Sequence, residues 1–307
     1  MQLGFVTAIL PDYSLEDLLR LASEIGYDCI EVMCWPQGKA DRRYAGVTHI
    51  EIETLSHKEV KEIQELQRDY QVSISGLGYY PNPLTADLEQ RTTIVAHIKR
   101  LIRAAVRLEI PIVNTFVGRD HRKSIEDNWI EFLKVWPGIV AQADAFNIQI
   151  GIENCPMYFT DNEWPGGQNL ANTPAIWERM WKHIPSGKWG LNYDPSHMIW
   201  QQMDYLKPIE DYSSRMLHIH AKDAIINQEG IDKYGVLSPP NLWHIPKLPG
   251  SGTVDWKKFI DKLQSINYNG AVCVEVEDRD YEGSESLRIE ALRKSYEHLR
   301  PLIGFSK

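Results

Sequence analysis

The sequence predicts a single (β/α)₈ barrel of the TIM type. Short β-rich runs alternate with amphipathic helical stretches along all 307 residues, which is the pattern of a parallel sheet with crossover helices. One such barrel fits this length, because barrels of this type routinely occupy about 250 residues or more as one domain. No composition shift or low-complexity tract marks a linker, so residues 1–307 are expected to form one domain.

Eight runs have the length and composition of strands, and they are separated by stretches long enough for helices. In chain order these predicted strands span residues 3–7, 29–35, 72–78, 112–117, 149–154, 189–194, 216–222 and 271–277. Eight strand–helix units close most naturally into a barrel. An open, doubly wound sheet is the alternative, but no GxGxxG follows the first strand and no Walker loop appears.

Start and stop signals support several of the intervening helices. Ser14 with Asp17 resembles a capping box, and Gly26 stands where the helix that begins after Ser14 would end. Thr173 and Pro174 suit the N-cap and the first position of another helix. The alternation of strands and helices therefore rests on more than hydrophobic runs.

Composition and charge exclude several classes of protein. The formal net charge of −9, without a run of basic residues, makes nucleic acid an unsuitable partner. No segment reaches the roughly 18 apolar residues of a membrane span, and the amino terminus does not resemble a signal peptide. The four cysteines stand in or beside apolar runs and form no CxxC pair, which indicates reduced, buried thiols. A cytoplasmic location is expected.

Polar residues stand at the carboxyl ends of the last four predicted strands. The fifth ends in GIENC with Glu153, and the sixth ends in GLNYDPSH with Asp194. The seventh contains His220 in HIHAKD, and the eighth contains Glu275 in VCVEVED. In a (β/α)₈ barrel, catalytic side chains project from the carboxyl ends of different strands. The four residues are therefore expected to converge.

A divalent metal ion would explain why these side chains stand in apolar strands. An unpartnered carboxylate there would carry a large desolvation penalty, so each must have a partner. A single carboxylate at a strand end more often forms an ion pair or fixes a loop than binds a metal ion. Four polar residues at the ends of consecutive strands are harder to explain in this way. Three carboxylates and one imidazole suit one divalent cation, with Mn²⁺ expected first and Co²⁺, Mg²⁺ or Zn²⁺ as alternatives.

These motifs resemble the xylose-isomerase-like TIM-barrel superfamily of sugar isomerases and epimerases, which includes ketose 3-epimerases and inosose dehydratases. The resemblance covers essentially the whole chain. It rests on GIEN around Glu153, the Asp-x-x-His of Asp194 and His197, the strand with His220, and NGAVCVE ending at Glu275. In the sugar-active members these positions bind the metal. The resemblance also implies acid and base roles for Glu153 and Glu275 and a substrate contact for His197.

The chemistry of proton transfer beside a carbonyl agrees with these roles. A C–H bond next to a carbonyl becomes acidic only when the negative charge that develops on oxygen is stabilised, which a chelating metal ion can do. A carboxylate on each face of a sugar can then remove and return the proton. The expected activity is a metal-dependent isomerase or epimerase acting on a ketose or keto-sugar.

Lys222 is expected to lie just above the metal site. The period of two along the seventh strand places His218, His220 and Lys222 on the same face, which should be the barrel interior. There the ammonium group either binds a substrate oxygen or forms a salt bridge with Asp223 or a neighbouring carboxylate.

Two further side chains are candidates for binding the substrate. Trp35, at the end of the second predicted strand, is expected to pack against the C–H face of a sugar ring. His121, in the polar GRDHRKS loop after the fourth strand, is the other candidate, although a solvated histidine is the usual state in such a loop.

Two connections are longer than usual for a barrel, at residues 155–172 and 223–251. Long loops at the catalytic end often form lids or subunit contacts. The second loop contains His244 and the turn Pro249-Gly250-Ser251-Gly252. This turn either anchors a substrate anion or shapes the approach to the last helix.

Other functions of the same fold stay open. A lyase or dehydratase would remove the same proton and expel a leaving group, for example from a 3-keto-glycoside or an inosose. An AP endonuclease would need further histidines after the third and fourth strands, where this chain has GLGYYPNP and NTFVG. A sugar-binding sensor would not need ligands capable of acid–base chemistry. A small sugar is the expected partner, and a dimer or higher oligomer is favoured because such symmetry is common.

Overall fold

The computed structural model describes residues 1–38, 44–158 and 161–304. The strands are β1 (Gln2–Val6), β2 (Cys29–Met33), β3 (Ser73–Gly78), β4 (Ile112–Thr115), β5 (Gln149–Glu153), β6 (Trp189–Tyr193), β7 (Met216–Ala221), β8 (Asp223–Ile226), β9 (His244–Lys247) and β10 (Ala271–Val274). Eight of them form a closed parallel barrel in the order β1-β10-β7-β6-β5-β4-β3-β2. The predicted (β/α)₈ barrel is confirmed, and the closed sheet rules out the open alternative.

Helices follow the barrel strands and surround them. They are α1 (Leu15–Ile25), α2 (His57–Tyr70), α3 (Leu88–Leu108), α4 (Ile125–Phe146), α5 (Pro174–His183), α6 (Ser196–Trp200), α7 (Lys207–Asp211), α8 (Gln228–Tyr234), α9 (Trp256–Ser265) and α10 (Glu285–Ile303). Because each crossover returns the chain to the same end of the barrel, all eight barrel strands have their carboxyl ends at one mouth.

The predicted helix signals have the expected geometry at α1 and differ at α5. The Ser14 hydroxyl accepts the N–H of Asp17, and Gly26 ends α1 in the left-handed region with φ 106°. Pro174 is the first residue of α5, as predicted, but the Thr173 side chain makes no capping hydrogen bond. Proline has no N–H, so the first turn of α5 has one fewer donor to satisfy.

The apolar core has an outer and an inner layer. The outer layer fills the space between strands and helices and includes the fully buried Trp136, Trp177 and Trp189. The inner layer lies inside the barrel and includes Cys29 and Cys273. Buried polar side chains share this interior, so the barrel lumen is not a uniform hydrocarbon core.

The long connection after β7 contains a hairpin that the sequence analysis missed. Strands β8 and β9 pair antiparallel, with Asp223 opposite Lys247 and Ile226 opposite His244. The Asp223 carboxylate accepts the backbone N–H groups of Gly250 and Val254 at 3.2 and 2.9 Å. The Pro249–Gly252 turn is therefore bound to a carboxylate of the chain itself, which favours its structural role over an anion site.

The four cysteines are free thiols. Cys29, Cys34 and Cys273 are buried as predicted, whereas Cys155 is half-buried after β5. Among the described residues, none of the helices is long and apolar enough to cross a membrane.

Candidate active site

Side chains from four neighbouring strands meet at the carboxyl mouth of the barrel. Glu153 is the last residue of β5, His220 lies in β7, and Asp194 and Glu275 directly follow β6 and β10. His220 Nδ1 lies 3.8 Å from Glu153 Oε1 and 3.6 Å from Glu275 Oε2. The structure therefore brings Glu153, His220 and Glu275 together directly.

Asp194 and Lys222 complete this cluster of charged groups. Lys222 Nζ lies 3.1 Å from Asp194 Oδ2, 2.5 Å from Glu275 Oε2 and 2.9 Å from Glu277 Oε2. Asp194 thus reaches the other acidic groups through the ammonium of Lys222. Of the two roles predicted for Lys222, these contacts correspond to salt bridges with neighbouring carboxylates. Asp223 is not one of these partners, because its carboxylate binds residues 250–256.

The donor atoms of this cluster fit a divalent cation. His220 Nδ1 is buried and has no hydrogen-bond partner among the residues that the structure describes. An imidazole nitrogen left in this state beside two carboxylates has the chemistry of a metal ligand. Glu153, His220 and Glu275 each offer one ligand atom within 4.8 Å of the others. The mixture of oxygen and nitrogen donors suits a divalent metal ion.

Charges around the cluster set the protonation of the two glutamates. Burial raises the pKa of Glu275, but Lys222 and His220 together outweigh burial and the pKa falls from 4.5 to about 2. Burial also raises the pKa of Glu153, but the neighbouring His197, His220 and Lys222 together bring it below its ordinary value. Both carboxyl groups are therefore ionised at neutral pH, the state that a general base requires.

Asp194 behaves in the opposite way. Burial raises the pKa of its carboxyl group above the ordinary value, although Lys222 and His197 oppose this effect. The Asp194 side chain is completely buried, so water cannot stabilise its charge. A nearby cation is therefore more important to Asp194 than to an exposed aspartate.

His197 lies where the sequence motif predicts a polar group near Glu153. Its Nε2 is 3.3 Å from both Glu153 Oε1 and Asp194 Oδ2. The indole N–H of Trp200 points to His197 Nδ1 at 3.3 Å, so Nδ1 is the acceptor and Nε2 carries the proton. His197 consequently presents one N–H group toward the acidic cluster.

A second polar network lies beneath the cluster, and the sequence analysis missed it. Glu31 in β2 is fully buried, and its Oε2 is 2.8 Å from His220 Nε2. The Tyr80 hydroxyl donates to the other carboxylate oxygen of Glu31, and Asn192 Nδ2 is 3.0 Å from the Tyr80 oxygen. Burial raises the pKa of Glu31, but His220, His218 and Tyr80 together outweigh burial and the net shift is downward. A carboxylate inside the apolar run CIEVM was the signal that could have revealed Glu31.

A cavity with about 620 Å³ of empty space, including its open mouth, adjoins the acidic cluster. Its charged lining residues, Glu153, Lys222, Glu275 and Glu277, come from the half of the barrel formed by β5, β6, β7 and β10. Its apolar lining residues include Val6, Ala8, Ile9, Met33, Trp35 and Phe116, which belong to the half formed by β1 to β4. The cavity is thus charged on one side and apolar on the other.

The two predicted substrate contacts outside the cluster have different positions. Trp35 lines the cavity, with its ring 4.8 Å from that of Tyr79 in an edge-to-face arrangement. His121 is half-buried in the loop before α4 and is not among the described residues that line the cavity. A role for His121 therefore stays a prediction without a contact to support it.

Comparison with solved structures identifies proteins of the same fold. The chain has a TM-score of 0.71 with a D-psicose 3-epimerase from Clostridium cellulolyticum H10 solved with D-tagatose, at 14% identity over 99% of this chain and 100% of that chain. It has a TM-score of 0.70 with the IOLI protein solved with a zinc atom, at 17% identity over 100% of both chains. These two likenesses show the fold.

Two further comparisons concern the sequence. Inosose dehydratase from Geobacillus thermodenitrificans (strain NG80-2) is 26% identical over 114 residues, which are 36% of this chain and 38% of that protein. The model of the family described as xylose isomerase-like TIM barrel matches residues 19–302. That match covers most of the chain, and the protein belongs to the xylose isomerase-like TIM-barrel family.

Proposed function

We propose that this protein is a metal-dependent sugar isomerase or epimerase that abstracts a proton next to the carbonyl of a ketose or keto-sugar. The observation that carries the proposal is the position of His220 Nδ1, which lies within 4 Å of both the Glu153 and Glu275 carboxylates. Glu153, Asp194, His220 and Glu275 would hold the ion. Mn²⁺ is the first candidate, and the zinc atom in the related IOLI structure supports testing Zn²⁺ as well.

The two glutamates would perform the proton transfer. A divalent ion in this site would supply positive charge that polarises a substrate carbonyl. Both carboxyl groups have a lowered pKa, so each is ionised at neutral pH, the form in which a carboxylate can act as the proton acceptor. Once one carboxylate has taken the proton from carbon, return of a proton to the opposite face of the same carbon completes an epimerisation. Return of a proton to the former carbonyl carbon, while the neighbouring hydroxyl becomes the new carbonyl, completes an isomerisation.

Other side chains of the chain would hold the substrate in place. The His197 Nε2–H and the Lys222 ammonium are hydrogen-bond donors at the acidic cluster and suit substrate oxygens. Trp35 offers an aromatic surface in the apolar part of the cavity, which suits the C–H face of a sugar. The cavity would therefore orient a sugar with its carbonyl end toward the glutamates.

Proton exchange with solvent tests this proposal directly. Free ketoses, phosphorylated ketoses and 3-keto sugars are incubated in D₂O with the Mn²⁺-loaded protein and followed by NMR. We expect deuterium to enter the carbon next to the carbonyl, together with a second stereoisomer or regioisomer. The matched control is Glu153→Gln, which keeps the side-chain shape and should slow exchange by about 10²- to 10⁴-fold. No exchange with any of these sugars would contradict the proposal.

A lyase or dehydratase is the second candidate, and the apolar side of the cavity favours it. A sugar hydroxyl placed against Val6, Met33 or Phe116 would lose hydrogen bonds to water without replacement, whereas an apolar substituent would not. A 3-keto-glycoside with an apolar aglycone would place that group there. The inosose dehydratase relative also supports a dehydratase.

The same NMR experiment separates the two candidates. A lyase releases the aglycone and a dehydratase releases water with formation of an alkene, whereas an epimerase leaves the composition of the sugar unchanged. A 3-keto-glucoside with an aromatic aglycone and an inosose therefore belong in the substrate panel. Release of the aglycone or formation of an alkene would replace the epimerase proposal by the lyase proposal.

A further inference from the structure

Glu31 lies on the opposite side of His220 from Glu153 and Glu275. Its Oε2 is 2.8 Å from His220 Nε2, while His220 Nδ1 faces the other two carboxylates. Glu31 is fully buried and is not among the described residues that line the cavity beside the acidic cluster. A buried carboxylate is costly unless it is paired, and the proposed proton transfer does not use this one.

The contact with Glu31 determines which nitrogen of His220 carries a proton. An ionised carboxylate only accepts hydrogen bonds, so Nε2 is the donor in the 2.8 Å contact. In a neutral imidazole the other nitrogen then carries the lone pair. That nitrogen is Nδ1, which is the atom directed at Glu153 and Glu275.

We propose that Glu31 is a positioning residue that fixes the Nε2–H tautomer and the ring orientation of His220, so that Nδ1 is available to bind the metal ion. The inference rests on the proposed function, because it requires a metal ion at the cluster. It adds a residue that reaches the ion only through His220.

Asn192 makes a contact that favours the opposite tautomer. Its Nδ2 lies 2.9 Å from His220 Nε2, and an amide donor there would favour an unprotonated Nε2. The same Nδ2 also has the Tyr80 oxygen as an acceptor at 3.0 Å. A hydrogen bond to an ionised carboxylate is about twice as strong as one between neutral groups, so Glu31 determines the tautomer.

The surroundings of Glu31 hold its carboxylate against His220. The Tyr80 hydroxyl donates to Oε1, which leaves Oε2 for the imidazole. His218 is 3.7 Å from Oε2, but its Nδ1 is engaged with Asn192 Oδ1 at 3.0 Å. A Cβ atom at Gly78 would lie 2.7 Å from Glu31 Oε1, so the glycine in β3 leaves the space that this carboxylate occupies.

Metal affinity is the first test, measured by calorimetric titration of metal-stripped protein with Mn²⁺. Glu31→Gln keeps the side-chain size but removes the charge that fixes the tautomer, and we expect the Kd for Mn²⁺ to rise about 10- to 100-fold. Glu126→Gln is the control, because it removes one negative charge from an exposed ion pair with Arg179 on the outside of the barrel. This control should leave the Kd unchanged. An unchanged Kd in Glu31→Gln would overturn the inference.

The tautomer is the second test, and it needs no substitution at Glu31. Long-range ¹H–¹⁵N NMR of histidine-labelled protein loaded with diamagnetic Zn²⁺ reports which ring nitrogen carries hydrogen. We expect His220 to have hydrogen on Nε2 and the metal on Nδ1, with the His220→Gln spectrum identifying the signal. Metal on Nε2 would overturn the inference even if Glu31→Gln fails to fold.

The two tests also separate this inference from the proposed function. A wild-type protein that binds neither Mn²⁺ nor Zn²⁺ has no metal centre, and both proposals then fail. If the wild-type protein binds metal and exchanges substrate protons while Glu31→Gln binds metal equally well, only the positioning role of Glu31 fails.

Discussion

Lys222 balances the negative charge of the acidic cluster in the absence of a metal ion. Its side chain is 3% exposed and its ammonium lies within 3.1 Å of Asp194, Glu275 and Glu277. Removing one partner of a buried ion pair costs about 3–5 kcal/mol, because a charge is left buried without its partner. We expect Lys222→Met to lower the free energy of unfolding of metal-free protein by about this amount, measured by chemical denaturation in EDTA.

A surface lysine provides the matched control for this substitution. Lys262 Nζ lies 2.7 Å from Glu210 on the outside of the barrel, where the glutamate is 68% exposed. Lys262→Met should cost about 1 kcal/mol or less, since exposed ion pairs contribute little. Divalent metal should restore more stability to Lys222→Met than to the wild-type protein. Equal losses in the two variants would show that Lys222 does not have this electrostatic role.

His49 should make the stability of the protein depend on pH. Its neutral ring fits between the Thr7 hydroxyl and the Leu10 carbonyl, at 2.9 and 3.2 Å. Burial lowers the pKa of His49 from 6.5 to about 4, so the unfolded chain binds a proton more readily than the folded one. The folded state is therefore favoured above pH 6.5 and loses stability as the pH falls from 6.5 to about 4.

Denaturation at about pH 7.5 and about pH 4.5 measures this effect. The wild-type protein should lose about 2 kcal/mol more than His49→Gln between these two pH values, because glutamine does not titrate. Carboxylates elsewhere contribute equally to both proteins and cancel in the comparison. The same loss in both proteins would mean that His49 is not the group that titrates.

Residues of the site are predictable from the sequence where a polar side chain ends an apolar strand. They are harder to predict where their role depends on contacts with a distant strand. Glu153, Asp194, His220 and Glu275 stood out because polar groups ended four apolar strands in succession. Glu31 carried the same signal in β2 but stood mid-strand, where a strand-end search does not look. Its partner His220 lies 189 positions away, so only the closed barrel brings the pair together.

At the scale of secondary structure, the parallel strands were easier to predict than the hairpin. The barrel strands are buried on both faces, and most of them are rich in apolar residues. Strands β8 and β9 have only four residues each, and β9 contains a proline and a half-exposed surface. In such short strands, apolar and polar residues do not alternate clearly. The sequence therefore predicts a loop over residues 223–251.

Gly151 in β5 should be essential for packing the strand that carries Glu153. A Cβ atom at this position would lie 2.2 Å from Asn114 Oδ1 and 3.2 Å from Asn192 Cβ, which means that the buried Asn114 side chain or the neighbouring strands would have to shift. Overpacking of this kind costs about 1–3 kcal/mol. We expect Gly151→Ala to lower the free energy of unfolding by that amount and to weaken Mn²⁺ binding, both measured on purified protein.

Gly138 in α4 offers the opposite case with the same substitution. Its nearest neighbour to an added Cβ is Lys99 Nζ at 3.6 Å, an ordinary contact with a flexible side chain. Gly138→Ala should therefore stabilise the helix by about 0.5–1 kcal/mol. If Gly151→Ala were also neutral or stabilising, the close approach of β4 and β6 to β5 would not require glycine at this position.

At the scale of the whole molecule, the order of strands divides the mouth into two chemically different halves. The half formed by β5, β6, β7 and β10 contributes the charged residues, and β1 to β4 contribute most of the apolar lining. The chain order of strand-end residues predicted the charged half. The apolar half could not be read in the same way, because apolar residues at strand ends also serve the core and only the cavity shows which of them face it.

A metal ion should stabilise the entire barrel, because its proposed ligands come from four strands spread over residues 153–275. An ion that binds only the folded state adds about 2.7 kcal/mol to the free energy of unfolding at 100 times its Kd. For a domain of this size that corresponds to a rise in Tm of roughly 5 °C, measured by calorimetry of EDTA-dialysed protein with and without Mn²⁺. Glu275→Gln removes one ligand and should lose most of this rise. An equal rise in Tm in both proteins would mean that Mn²⁺ acts through surface carboxylates. Loss of the Glu275 ligand can reduce the stabilisation by Mn²⁺ only if the ion binds at the site built from the strand ends.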